Sequence, residues 1–579
     1  METFRCDDGV RFGVAEGSSD LDRYVELNKK YTGVLSLILF SSMLYAVPAS
    51  GQPVVDTGDL PLTVAEASDF TRTTTFEDVW AWLRMLQSSG ADIYVWSQGW
   101  TTEGREMPLV VASRPLVTSP IEAHASGKPI LYLQGNIHAG EVEGKDALLM
   151  LLRDVTLGEA QSILDDVILL VNPIYNADGN EKWAPVSRNR RGQDGPEEVG
   201  IRYNGMGLDL NRDYIKAEAP ETRNTLAVLI NQWRPHIFMD LHTTNGSRHG
   251  YDLTYAAAMT PSAPQGPVKF TNDVMLVELK KRLADHGHAT FDYGNHGRGQ
   301  NPPTAWRTFS WEPRFGTNYM GIRGMISILS EAVSYRPFRT RLSASYWLVR
   351  EAARFAGEHA AEIIRITREA EEQIVGWGSD PASAPALGVR YELVSRGREM
   401  VTFEVMNPAT NPSGRGRGTP SGRIEEAEMD VFTVYRAVDT RPFPVGYIIP
   451  VAYPEAIDLL RLHGIAVERL EASWSGSVKI FRVDSLNVAE RSFQGHRLIT
   501  IHGDYRDEQF DVPEGWYFIS TAQPLGALVF TMLEPEISDG IATWNFLDRG
   551  IRARGDSPVL KLMQAPDVAR SRLVDRIIR

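Results

Sequence analysis

Four short runs in the first two thirds of the chain are apolar at nearly every position. They are residues 129–134 (Pro-Ile-Leu-Tyr-Leu-Gln), 167–171 (Val-Ile-Leu-Leu-Val), 236–241 (His-Ile-Phe-Met-Asp-Leu) and 325–329 (Met-Ile-Ser-Ile-Leu). A strand with one wet face alternates polar and apolar residues, so a continuous apolar run marks a strand covered on both faces. Such cover comes from crossover helices, and between the first two runs Ala147, Leu148, Leu151, Leu152 and Val155 recur at helical spacing. This ordering predicts an α/β fold with a mixed, mostly parallel, doubly wound sheet. In such sheets ligands bind outside the carboxyl ends of the strands.

The texture divides the 579 residues further. Residues 1–51 read as an upstream extension and a signal peptide: Lys29 and Lys30 precede the apolar run 34–47, and small residues follow at 48–51. That run is shorter than the roughly 20 residues a membrane span needs, so no stable membrane anchor is expected. The mixed-charge stretch before it suggests a start site placed too far upstream, and export to the periplasm or the extracellular space is expected. Residues 52–75 read as a linker, 76–378 as a catalytic domain, 379–390 as a second linker and 391–579 as a β-rich α+β accessory domain. One long helix is expected over 342–375, a short helix over 454–463, and strands that include 431–438, 447–451, 498–502, 516–520 and 528–533. The Gly-, Pro- and Arg-rich insertion 407–420 reads as a mobile loop.

A net charge of −14 argues against nucleic acid as a partner. Cys6 is the only cysteine, so any metal must sit on nitrogen and oxygen. The strand ends offer such donors. His138 and Glu141 follow the first run at a strand-to-helix turn, His242 directly follows the third, and Glu331 follows the fourth. Two His and one Glu make a three-ligand zinc site with a fourth position for water, and a further carboxylate nearby could take that water's proton. The segment 207–214 adds Asp209, Asn211 and Arg212. A guanidinium fork beside an amide suits a free carboxylate, and Asp209 is of the type that orients a metal-bound imidazole through its second nitrogen.

Taken in order, His138-xx-Glu141, Asn176-Ala177-Asp178-Gly179, Asp209-Leu210-Asn211-Arg212, Asp240-Leu241-His242 and Ser330-Glu331 resemble the motifs of the zinc carboxypeptidases of the pancreatic carboxypeptidase A type. The likeness spans residues 76–375, and the segment 523–548 looks like the tail of large secreted bacterial members. The resemblance implies one zinc ion per chain held by His138, Glu141 and His242, with Glu331 as general base and acid. It further implies Asn211 and Arg212 on the terminal carboxylate of a peptide or protein substrate, and Asp209 behind His138. An oxyanion-stabilising arginine is expected within 188–191, with Arg188 and Arg190 as candidates.

Two departures stand out. The family's arginine between the first His and Glu is Gly140 here. A substrate-capping tyrosine some twenty residues before the catalytic Glu has no match, since Phe309 stands near that place and Tyr319 is too close to Glu331. The same ligand set would also serve an N-acyl amino acid deacylase or a peptidoglycan peptidase. A secreted binding protein with a relic site is the alternative of another class, and Glu143 is the fallback base if Glu331 is not the one.

Overall fold

The four apolar runs become four adjacent parallel strands at the centre of an eight-stranded sheet. In the computed structural model its strands are β1 (Ile93–Trp100), β2 (Glu106–Ala112), β3 (Ile130–Gly135), β4 (Ile168–Asn172), β5 (Ile237–Thr244), β6 (Leu253–Ala257), β7 (Thr290–Asp292) and β8 (Ile326–Val333). They lie in the order β1-β2-β4-β3-β5-β8-β6-β7. The pairs β1/β2, β2/β4 and β8/β6 are antiparallel and the other four parallel, so the sheet is mixed as expected. The structure describes residues 60–297, 301–407 and 419–573. The expected signal segment and residues 408–418 of the insertion lie outside the described residues.

Successive side chains of the central strands go to opposite faces. Tyr132, Leu170 and Phe238 pack on one side with Leu229 and Trp233. Leu131, Leu133, Leu169 and Met239 pack on the other with Leu148, Leu151 and Leu152 of helix α2 (Glu143–Thr156). All of these are buried, and truncating any of the leucines to Ala would cost about 2–5 kcal/mol. The start of α2 is pressed onto the sheet. A Cβ on Gly135 would lie 2.9 Å from the Gly144 carbonyl carbon, and one on Gly144 would lie 2.5 Å from Leu241 Cβ. Only glycines permit this approach, which brings the turn between β3 and α2 over the end of β5.

Upstream of α2, helix α1 (Phe76–Ser88) begins on a capping box formed by Thr75 and Asp78. The preceding residues, read as a linker, hold a short helix, Val64–Ala67, in which Ala65 is buried. Arg153 of α2 pairs with Glu66 at 2.7 Å, and the hydroxyls of Thr73 and Thr74 donate to Asp146.

Two expectations are corrected. The single helix over 342–375 is a pair, α3 (Phe338–Glu358) and α4 (Ala360–Ser379), separated at His359. His359 leaves helical geometry (φ −113°, ψ 21°) and its ring stacks on Phe355 at 4.2 Å. The run 528–533 is a helix, Gly526–Leu533, with every residue buried. A short segment that is apolar at nearly every position carries no periodicity to separate strand from helix.

The C-terminal region is β-rich. Strands β9 (Leu387–Asn407) and β10 (Thr419–Arg441) form a long antiparallel ribbon, and β10 also pairs with Ala305–Arg307. Residues on both sides of the 379–390 boundary thus share a sheet, and the described residues from Leu60 onward form one compact unit. A seven-stranded sheet holds the hairpin β11 (Trp474–Val488) and β12 (Ile499–Val512), with Gly446–Ile449 and Tyr517–Ser520 in its interior. The helix Pro454–Leu462 lies in the sequence between strands of this sheet. Among the described residues no helix is long and apolar enough to cross a membrane.

Candidate functional site

At the exit from β3 the chain turns through Asn136 (φ +64°), so that His138 and Glu141 both face the end of β5. His138 Nδ1 lies 3.1 Å from Glu141 Oε1 and 3.2 Å from His242 Nδ1, and His242 Nδ1 lies 3.1 Å from Glu141 Oε2. The other imidazole nitrogens face carboxylates. His138 Nε2 is 3.0 Å from Asp209 Oδ1 and His242 Nε2 is 2.9 Å from Asp240 Oδ2. The tautomer with hydrogen on each Nε2 leaves two Nδ1 lone pairs and a carboxylate directed at one another. Three acceptors converging in this way call for a cation. Their spacing is close to the ~3.3 Å separation of ligand atoms that 2.0–2.1 Å bonds give in a tetrahedral zinc site. Burial alone would raise the Glu141 pKa, but His138 and Arg190 outweigh it and hold the carboxyl well below the usual range. The residues present therefore fit zinc, as a set of two nitrogens and one oxygen with both imidazoles oriented from behind.

Glu331 comes to this cluster through sheet register, because in the parallel β5/β8 pair it is the partner of His242. It lines a cavity of about 340 Å³ together with the three ligands. Burial pushes its carboxyl up to about 8, with His242 opposing and Glu141 adding to the shift. A bound cation would draw that value down, toward a group that can accept a proton near neutrality. Glu143, the fallback base, is turned away at the first residue of α2, where the Arg341 guanidinium and the Thr243 hydroxyl hold it.

The turn Leu210–Arg212 follows Asp209, whose carboxylate caps it by accepting from the Asn211 N–H at 3.0 Å. Asn211 accepts from the Gly316 N–H at 2.8 Å, and its Nδ2 lies 3.3 Å from His242 Nε2. The Arg212 guanidinium lies 4.2 Å from the Phe315 ring centre, and Nη1 donates to the Asn211 carbonyl. Burial lowers its pKa from the ordinary arginine value. No carboxylate among the described residues forms an ion pair with it.

Of the two arginines expected near the oxyanion, Arg188 is exposed on the short helix Val186–Asn189 and does not reach the cavity. Helical geometry over 186–189 directs it outward while Arg190 turns in. Arg190 is buried and bonded through all three nitrogens: Nε donates to Gln193, Nη1 pairs with Glu141 at 3.0 Å, and Nη2 donates to the Thr243 carbonyl and Asn245. It occupies the space the Gly140 side chain leaves, since a Cβ there would lie 2.6 Å from Arg190 Cγ. Arg202, which sequence reasoning missed, also lines the cavity. Its Nε donates to Asp209 Oδ2 at 2.8 Å, its Nη1 is 3.5 Å from Glu141, and a third of its side chain is open. The available signal was its place in the segment leading directly into Asp209. Tyr293 and Phe309 line the cavity as well, whereas Tyr319 is buried elsewhere against His463. Burial and the nearby Glu331 raise the Tyr293 pKa and keep the phenol protonated.

Residues 79–265 match the family model described as zinc carboxypeptidase. In sequence the chain is similar to a carboxypeptidase 2 of Trichophyton equinum, 23% identical over 462 residues that cover 77% of this chain and 78% of the relative. It is also similar to a probable carboxypeptidase 2 of Arthroderma benhamiae, 22% identical over 76% of this chain and 79% of the relative. These relatives are fungal. Among solved structures it is similar to a metallo-carboxypeptidase from Burkholderia cenocepacia, with TM-score 0.35, 18% identity, and coverage of 48% of this chain and 68% of that one.

Proposed function

Starting from a chain that carries a zinc carboxypeptidase domain and is a zinc-dependent metallopeptidase, we propose that it is an exported enzyme that removes the C-terminal residue of peptides or proteins. The observation that carries this reading is Arg212. Of the three arginines lining the cavity, Arg190 and Arg202 are paired with carboxylates, and Arg212 has no such partner among the described residues. A partly desolvated guanidinium beside a zinc-type ligand set is matched by a carboxylate that arrives with the substrate.

Zinc, which His138, Glu141 and His242 would hold, would supply Lewis-acid polarisation and lower the pKa of a water toward ~7. Arg212 holds the substrate's terminal carboxylate and so fixes which peptide bond lies beside the ligands. Glu331 accepts the proton of the attacking water and delivers it to the nitrogen of the scissile amide as that bond breaks. Arg202 donates to the oxygen on which negative charge develops, because its Nη2 makes no bond among the described residues while every nitrogen of the buried Arg190 is engaged. Asp209 and Asp240 keep the hydrogens of His138 and His242 on Nε2. The apolar wall of Phe309, Phe315 and Leu329 favours an uncharged, apolar C-terminal side chain.

The test of the exopeptidase reading is a pair of matched peptides with free and amidated C-termini. Loss of cleavage on amidation supports it, and equal cleavage of both peptides would transfer the site to amide hydrolysis of the deacylase or endopeptidase kind. Export rests on the basic and apolar pattern of residues 29–51. N-terminal sequencing of the secreted protein is expected to begin near Ala49 to Gln52. An intact cytosolic chain starting at Met1 would refute it.

A further inference from the structure

A residue far along the chain closes on this site from outside. The loop between β11 and β12 ends in a two-residue turn in which Phe493 and His496 exchange both backbone hydrogen bonds, at 2.8 and 3.0 Å. Both central residues are left-handed, Gln494 with φ +52° and Gly495 with φ +85°. Glycine, Asn and Asp are the usual occupants of such positions, and a glutamine there holds a strained backbone. Its side chain makes a contact that glycine could not. Gln494 Oε1 accepts from the Asp209 N–H at 2.8 Å. Asp209 is the residue that holds His138, caps Asn211 and orients Arg202.

The turn is anchored on both sides of this contact. His496 Nε2 meets Glu218 at 2.8 Å, just beyond the segment of Asn211 and Arg212. On the other side Arg314, one residue before Phe315, lies over the rings of Phe493 and Trp544 at 5.4 and 5.5 Å. Arg314 is itself paired with Asp539 at 3.0 Å. The hairpin tip therefore reaches both segments that frame the apolar end of the cavity. Strain concentrated at a residue that touches the machinery is a functional signature.

We propose that Gln494 is a positioning residue of the hydrolytic site, through which the C-terminal β-rich region fixes Asp209 and hence His138 and Arg202. The proposal rests on the carboxypeptidase reading for its kinetic consequence. Its test uses the full-length, zinc-loaded protein with Gln494→Gly, which relieves the backbone strain, and Gln494→Met, which keeps the stem and lacks the acceptor. Expected are a Tm for the glycine variant equal to or above that of wild type, a fall of about tenfold in kcat/KM on a free-acid peptide for both variants, and faster release of zinc to a chelator. Wild-type kcat/KM in both variants would overturn the proposal. So would a loss of activity in the glycine variant matched by a loss of Tm, since that is what a merely structural contact gives. If the wild type cleaves no free-acid peptide, the carboxypeptidase reading fails. The zinc-release comparison of wild type with Gln494→Gly then still decides the positioning role.

Discussion

Arg212 makes the sharpest prediction because the structure shows what it lacks. Its guanidinium is partly buried over Phe315, donates only to the Asn211 carbonyl, and has no ionic partner among the described residues. A terminal carboxylate in the cavity supplies that partner, and an amidated terminus withdraws the charge while leaving the cation desolvated. Truncating one side of a buried, hydrogen-bonded charge pair costs about 2–5 kcal/mol. Because Arg212 is only partly buried, the lower half of that range applies, which is a loss of roughly 30- to 400-fold in kcat/KM on amidation. Arg212→Met should abolish the discrimination, with free-acid and amidated peptides cleaved within about threefold of each other at the low rate. Arg212→Lys should recover part of it, since a point charge attracts the carboxylate and cannot reproduce the planar fork. The assay is initial-rate kinetics on the paired peptides for the three proteins, with zinc content checked in each. A wild type indifferent to amidation refutes the reasoning. So does an Arg212→Met variant that still discriminates, because another cation would then be reading the terminus.

Three other perturbations follow from the geometry. Glu331→Gln should keep zinc and substrate affinity and lose about 10²- to 10⁴-fold in kcat, read by steady-state kinetics, because the amide cannot take a proton. Gly140→Ala should drive Arg190 from its seat, since the new Cβ would lie 2.6 Å from Arg190 Cγ and 3.0 Å from the Gly200 carbonyl. A destabilisation of about 1–3 kcal/mol by denaturant unfolding and weaker zinc retention are expected, and an unchanged Tm would contradict the packing argument. The half-buried His496–Glu218 pair should stabilise the fold by under ~1 kcal/mol. Bonding to Glu218 raises His496 despite burial, so its share is complete below the unfolded value of 6.5 and fades as pH rises through the raised one. Burial opposes the shift of Glu218, yet His496 and Lys216 bring it down to about 2, so its share is present above 4.5 and lost as pH falls through about 2. The Tm difference between wild type and Glu218→Gln should therefore be largest between these limits, and a difference independent of pH would exclude the ion pair as its source.

The sheet and the ligand set were legible in the sequence for one physical reason. Each ligand stands within a few residues of the end of an apolar run, and strands buried on both faces have little freedom in where they end. Register then does the rest, as with Glu331, which faces His242 because β8 lies parallel to β5 residue for residue. Where the chain leaves regular structure the legibility stops. Arg188, Arg190 and Arg202 all lie in or beside irregular segments, and no periodicity says which one turns inward. The run 528–533, apolar except for Thr531, suits either period, so its place in the helix Gly526–Leu533 is not legible in the sequence. Gln494 is 285 residues from Asp209, and nothing in either local sequence announces the pairing.

Gly140 stands where the zinc carboxypeptidases that the chain resembles carry an arginine. Losing that side chain removes a cation from the turn between His138 and Glu141, and the glycine opens a space against the cavity wall. Arg190 enters that space from another segment, its stem passing where a Cβ would stand and its Nη1 pairing with Glu141. A positive charge thus stands close to the ligand carboxylate. The exchange has a chemical consequence. A buried arginine bonded through all three nitrogens, to Gln193, Glu141, Asn245 and the Thr243 carbonyl, keeps a single Nη1 N–H, whereas the Nη2 group of Arg202 makes no bond among the described residues. In the function proposed above, recognition of the terminus falls to Arg212 and stabilisation of the developing oxyanion to Arg202, and Asp209, which holds Arg202 on one side and His138 on the other, is the residue that the distant Gln494 contacts.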